Sequence, residues 1–294
     1  MSWIRSFRDL NRDQGNDRER QRLIRSNNLQ KYPILGESPE LGTSQQARKE
    51  SFLDMLRLFF CPSFTIKSFV FTITCVQIFI YFLTVVCYYN SNAFLKPSSE
   101  SLDLFGEKNT DKMKNHYELW RFLTPVFLHA NLTHLIFNML MQVIIGFRVE
   151  ATVGLWKTII VYFGSGIGGI LVSSLFSPLS LAVGASTAIF GLTTAILAWI
   201  VLNWTSLEGN PNRINSLIWV IILIVINLVM PSSSTDSFGH IGGALFGLLI
   251  SFLIFDTINS PTKNENLIKK CAGIILLFFS IGGFITFFTL IETN

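Results

Sequence analysis

The chain has 294 residues, of which 50% are hydrophobic and only 14% charged, where a soluble protein of this size carries about 25% charged residues. Its net charge of +4 comes from basic residues mixed with acids in the tail and loops, which argues against a nucleic-acid partner. Four cysteines (Cys61, Cys75, Cys87, Cys271) lack metal-ligand spacing, and three lie in or beside apolar runs, which argues against a disulfide framework.

Charge is dense up to Lys67 and sparse afterwards. Residues 1–66 open with "RSFRDLNRDQGNDRERQRLIR", polar and mixed in sign, without the apolar core of a signal peptide. This segment reads as a largely disordered cytosolic tail that ends in a short interfacial helix at "SFLDMLRLFF". Seven candidate spans follow, at 68–89, 131–149, 155–176, about 183–202, 216–230, 238–255 and 272–291. Each approaches the roughly 20 apolar residues needed to cross a hydrocarbon core as a helix, the fifth being the shortest. A long loop separates the first two spans, and the polar linker "DTINSPTKNENLIKK" precedes the last. The fold class expected is all-α, a polytopic membrane helical bundle.

Lysine and arginine set the orientation. With the tail in the cytosol, the inside segments hold eighteen of them and the outside segments five: Lys96, Lys108, Lys112, Lys114 and Arg121. The tail is therefore expected inside and the C-terminus outside.

Ionisable residues within spans are costly and are functional candidates by default. Of four histidines, His129 and His134 fall at the start of the second span and His240 at the start of the sixth. In the expected topology the start of the fourth span, with Ser186 in "AVGASTAIFG", lies on that same outer side. A serine hydroxyl is a poor nucleophile until a base accepts its proton. His240 can fill that role and later return the proton to a leaving amine. Acyl transfer also needs donors for the developing oxyanion. His134 and Asn138, four apart, share one helical face, and the backbone N–H of Ser186 adds a third donor. Gly184 leaves room beside the serine, and Phe190 lies one turn deeper, in reach of the imidazole of His240. Gly243 and Gly247 form a small-residue face that lets the sixth span approach the fourth. Taken singly, each feature has a plainer reading: a serine bonded to its own backbone, a packing glycine pair, an interfacial histidine. Their coincidence at one level favours catalysis.

These residues resemble a known family. "GASTAIFG" around Ser186, "GHIGGALFG" around His240 and "HANLTHLIFNM" from His129 are similar to the signature motifs of the rhomboid intramembrane serine proteases. "ELWRFLTPVFLH" with Trp120 and Arg121 resembles the family's first-loop segment, and "GFRVEATVG" resembles its glycine–glutamate–glycine stretch. The resemblance covers roughly residues 68–257. It implies a six-span catalytic core over 67–257, with 258–294 as a linker and seventh helix, the six-plus-one plan of eukaryotic secretase-type members. It further implies a Ser–His dyad without an aspartate, with Ser186 as nucleophile and His240 as general base. His134 and Asn138 would stabilise the oxyanion, and His129 would support the outer end of the second span. Arg121 would organise the first loop, and Glu150 would anchor structure on the cytosolic side. The sequence departs from many members at Thr187, where a smaller residue is usual, and at Phe190, where tyrosine is common. The glycosylation pattern "NLT" at Asn131 abuts a span and is discounted.

The expected activity is cleavage of single-span membrane proteins near the outer or lumenal face, reached from the lipid bilayer, with no metal or organic cofactor implied. The plan suggests the plasma membrane or the secretory pathway. A catalytically inactive relative that binds transmembrane clients is the alternative, and loss of Ser186 or His240 would have favoured it. A transporter would show paired repeats in the two halves, and none are found.

Overall fold

The computed structural model describes residues 65–87, 95–208, 212–229, 236–259 and 262–293. The tail and its expected interfacial helix lie outside these residues. Nine α-helices make up the described part: α1 Phe69–Cys87, α2 Ser99–Leu104, α3 Thr110–Asn115, α4 Leu132–Val153, α5 Leu155–Phe176, α6 Ser186–Leu202, α7 Asn212–Val229, α8 Ser237–Ile254 and α9 Lys263–Thr289. Two 3₁₀ turns, Leu119–Phe122 and Thr124–Phe127, lead into α4. Among the described residues there is no strand, only an isolated antiparallel bridge between Lys108 and Ala182. The molecule is a multi-pass integral membrane protein.

Among the described residues, five helices (α1, α4, α5, α8 and α9) are long and apolar enough to cross a membrane. Helix α6 is shorter at 17 residues, about 26 Å at 1.5 Å per residue. It is also the most enclosed, because α4, α5, α7 and α8 all pack on it, and a helix so surrounded need not match the hydrocarbon thickness. It begins at Ser186, later than the expected Val183, because Gly184 takes a φ of +132°, outside the helical region. A second difference lies at the end of the chain. Helix α9 starts at Lys263, inside the stretch expected to be a linker, because Thr262 and Glu265 form a reciprocal capping box. The long first loop is likewise structured, with Ser98 and Asn109 side chains capping α2 and α3.

The two ends of the bundle are fastened differently. At one end Glu150 accepts hydrogen bonds from the backbone N–H groups of Phe69 and Val70, at 2.9 and 3.0 Å, and so caps α1. Lys157 pairs with Asp256 at the same end. At the other end Lys114 donates to the carbonyl of Ile291, and Asn115 donates to the Thr293 hydroxyl at 2.9 Å. This second set places the end of α9 beside the first loop.

Between these ends a polar network crosses the bundle. Gln77 of α1 donates to the Tyr162 hydroxyl and to the carbonyl of Val126, at 2.7 and 2.9 Å. Gln142 of α4 donates to the Gln77 carbonyl oxygen at 2.8 Å and accepts from Tyr162 at 2.6 Å. Buried polar groups in an apolar setting hold their geometry because an unmade bond is costly. The network therefore fixes the 3₁₀ turn at Val126 against three helices. That turn matters for the site: the carbonyl of Pro125 accepts the N–H of Gly184 at 2.9 Å.

Candidate active site

Ser186 is the first residue of α6, with Ala185 as its N-cap and no side-chain cap. The first N–H groups of a helix have no intrahelical acceptors and carry its positive end, so donors stand free around the serine. The chain arrives through Gly184, where any larger residue would be strained. Its φ of +132° strains any L side chain, and a β-carbon there would lie 2.8 Å from Cε1 of His134.

His240 sits in the first turn of α8. Asp236 is that helix's N-cap: its carboxylate accepts the N–H of Gly239 at 3.0 Å, and its carbonyl accepts the N–H of His240, also at 3.0 Å. The Nε2 of His240 lies 2.7 Å from Oγ of Ser186, within the range for an oxygen–nitrogen hydrogen bond. The imidazole is stacked on the ring of Phe190, with centroids 4.6 Å apart and planes at 26°. Stacking fixes the plane of the imidazole while leaving its edge toward the serine.

Close passage of α8 across α6 makes this contact possible. A β-carbon on Gly243 would come within 2.2 Å of the carbonyl oxygen of Thr187, and one on Gly247 within 2.3 Å of Cα of Gly191. These are backbone atoms that cannot move aside. Thr187 is buried against Gly169 of α5 and Gly239 of α8. Its methyl-bearing side chain fills the space those glycines leave.

The remaining expected residues fall into two groups. His134 stands beside the nucleophile, its ring against Gly184, and the buried His129 ring meets it edge-on at 5.4 Å. Asn138 is buried one turn further along α4, where its amide donates to the carbonyl of His134 at 2.8 Å. That bond engages one amide hydrogen and leaves the other free. Asn131, in the discounted glycosylation pattern, caps α4 by accepting the N–H of His134 at 2.8 Å. Arg121 lies away from the dyad, 3% exposed, inside the first loop. It donates to the carbonyls of Glu107 and Asp103 at 2.8 and 2.9 Å and pairs with the Glu118 and Asp103 carboxylates. Trp120 beside it is 56% exposed. Glu150 is at the opposite end of the bundle, on the α1 cap described above.

Residues 116–257 match the Rhomboid domain family. Rhomboid-like protease 1 of Toxoplasma gondii is 33% identical over 220 residues, covering 74% of this chain and 73% of that protein. The chain belongs to the rhomboid family. RHOMBOID-like protein 1 of Arabidopsis thaliana is 38% identical over 165 residues, 55% of this chain and 41% of that protein. Rhomboid-like protease 3 of Toxoplasma gondii is 36% identical over 178 residues, 60% of this chain and 66% of that protein. The chain spans about half the length of the plant relatives it matches.

One residue beside the dyad was not singled out from sequence: Asp236, which caps the helix that carries His240 and could have been found as a cap residue just before a helical run.

Proposed function

We propose that this rhomboid is a serine endopeptidase that cuts transmembrane segments of single-span membrane proteins near the non-cytosolic face. The observation that supports it most is the 2.7 Å contact between Ser186 Oγ and His240 Nε2, made by side chains of two separate helices.

In the reaction, His240 Nε2 takes the proton of Ser186 as Oγ attacks the substrate carbonyl. Charge then develops on the carbonyl oxygen. The backbone N–H of Ser186 at the start of α6 is one donor for it, His134 a second, and the free amide hydrogen of Asn138 a third. Typically, loss of one such donor costs about 100- to 1,000-fold in rate. Collapse of the tetrahedral intermediate passes the proton from His240 to the departing amine and leaves an acyl group on Ser186. Water, activated by the same imidazole, releases the acid. A helical substrate has to unwind to present its carbonyl, so small or helix-breaking residues near the cut should favour cleavage.

The reading carries a topology and a division of the chain: residues 1–66 as a cytosolic tail, 67–257 as the catalytic core, 258–294 as linker and seventh helix. Arg121 and Lys108, two of the five outside cations, are buried within the first loop. A secretory-pathway or plasma-membrane setting fits that topology. The test is co-expression with type I reporters that differ in their transmembrane segments. Wild type should release the reporter ectodomain, and Ser186→Ala and His240→Ala should each abolish release at equal expression. Reporter binding without release by wild type would favour a non-catalytic client-binding role, and undiminished release by Ser186→Ala would reject the nucleophile.

A further inference from the structure

Ser186 reaches its place through residues 177–185, a segment with little core contact of its own: Leu179 and Leu181 are exposed. Two outside contacts hold it. One is the bond from the Gly184 N–H to the Pro125 carbonyl. The other is Lys108, a fully buried residue of the first loop.

The backbone N–H of Lys108 donates to the carbonyl of Ala182 at 2.9 Å, closing the antiparallel bridge. Its ammonium turns the other way along the same segment. Nζ donates to the carbonyl of Ser177 at 2.6 Å, to the Ser180 hydroxyl at 3.0 Å and toward the carbonyl of Ser173 at 3.4 Å. Ser177 is the C-cap of α5. The last carbonyls of a helix have no intrahelical donors and carry its negative end, so they attract a cation. Asp236, the N-cap of the helix that carries His240, also attracts this ammonium. One residue thus grips the Ser186 segment at both ends of its exposed stretch and ties it to the end of α5, the helix on which α8 packs.

We propose that Lys108 is a positioning residue for the dyad: its ammonium, seated on the C-terminus of α5, fixes the segment that delivers Ser186 relative to the helix that delivers His240. The inference rests on the proteolytic reading above. Burial pushes the Lys108 ammonium down to about 8, partly offset by Asp236, so the charged form prevails at neutral pH. A neutral side chain of equal length would remove the ammonium's bonds and leave the Ser177 carbonyl with only the N–H and hydroxyl of Ser180, which belong to the same segment.

The test uses the full chain in detergent and measures two things: the rate of Ser186 labelling by a fluorophosphonate, and kcat and KM on a reporter that wild type cuts. Lys108→Met should lower the labelling rate and kcat at least tenfold per folded molecule, with KM within twofold of wild type. Lys108→Arg, which keeps the charge, should recover part of that loss. Ser180→Ala removes one acceptor of the ammonium, together with that hydroxyl's own bond to the Ser177 carbonyl, and leaves α5 and the lysine in place. It should lower both rates two- to threefold, and it keeps the inference testable if Lys108→Met does not fold. Labelling and kcat within twofold of wild type in Lys108→Met overturn the inference, as does an unchanged Ser180→Ala when Lys108→Met is lost to misfolding. Wild-type protein that fails to label at Ser186 is a separate result: it removes the proteolytic reading, and the inference falls with it.

Discussion

Helices α8 and α9 are both apolar, and both carry glycines, yet they live in different surroundings. Of the apolar stretch of α8, 44% is buried in the protein, against 11% for α9. In α8, Gly243 and Gly247 touch the backbone of α6 directly. In α9, a β-carbon on Gly282 would meet nothing within 4 Å. Besides packing on α8 and α5, α9 meets the first loop near its end, where the rings of Phe284 and Phe287 both meet Phe122 edge-on at 5.2 Å. Without a hydrophobic drive between helices in lipid, close packing has to come from small residues and polar contacts. Helix α8 uses the first to place a histidine, while α9 touches the first loop through aromatic rings and terminal hydrogen bonds.

The comparison can be broken most forcefully at Gly243. Gly243→Val sets a branched side chain against the Thr187 carbonyl, and overpacking of this kind typically costs about 1–3 kcal/mol or more. Folded yield should fall sharply, and the surviving fraction should lose reporter cleavage because Ser186 and His240 no longer meet. Thermal melting in detergent together with the cleavage assay reads both. Next in size is Phe287→Ala. Phe287 is fully buried, and removing such a ring typically costs about 3 kcal/mol. The melting temperature should drop, and protease sensitivity should rise first within residues 99–122, the loop this ring covers.

A pH effect sharpens the view of that loop. Burial raises the Glu107 carboxyl to about 7, Asp103 pushing the same way against Arg121 and Lys112. Between its ordinary range and that value the folded protein binds more protons than the unfolded chain. This contribution to stability is present at acid pH and is lost as pH rises from about 4.5 through 7. Melting temperature should decline across that window in wild type and decline less in Glu107→Gln. The smallest effect is expected at Gly282. Gly282→Ala should leave cleavage unchanged and shift stability by less than about 1 kcal/mol, upward if helix propensity decides it.

The sequence made α8 readable because its chemistry is local. A histidine at a span end, glycines four apart and a serine among small residues are visible without knowing the fold, and their spacing places them on facing surfaces. The first span was read from its apolar run, whereas the roles of Glu150 and Arg121 were expected only from family resemblance, since most of their partners are backbone groups, those of Glu150 about 80 residues away. The boundaries of α6 and α9 were less legible. Polarity argued against helix at Lys263, where a capping box starts one, and a run of small apolar residues hid the turn at Gly184. Lys108 was invisible for a different reason. Its partners lie at the end of α5 and in the loop after it, so nothing in its own neighbourhood marks it.

The central claim is that an imidazole on α8 activates a hydroxyl at the start of α6. Fluorophosphonate labelling of the purified full chain, with the modified residue mapped by mass spectrometry, tests it most directly. The account predicts modification at Ser186 in wild type and its loss in His240→Ala protein that melts like wild type. Equal labelling of Ser186 in both proteins, or modification at a different serine, would contradict it.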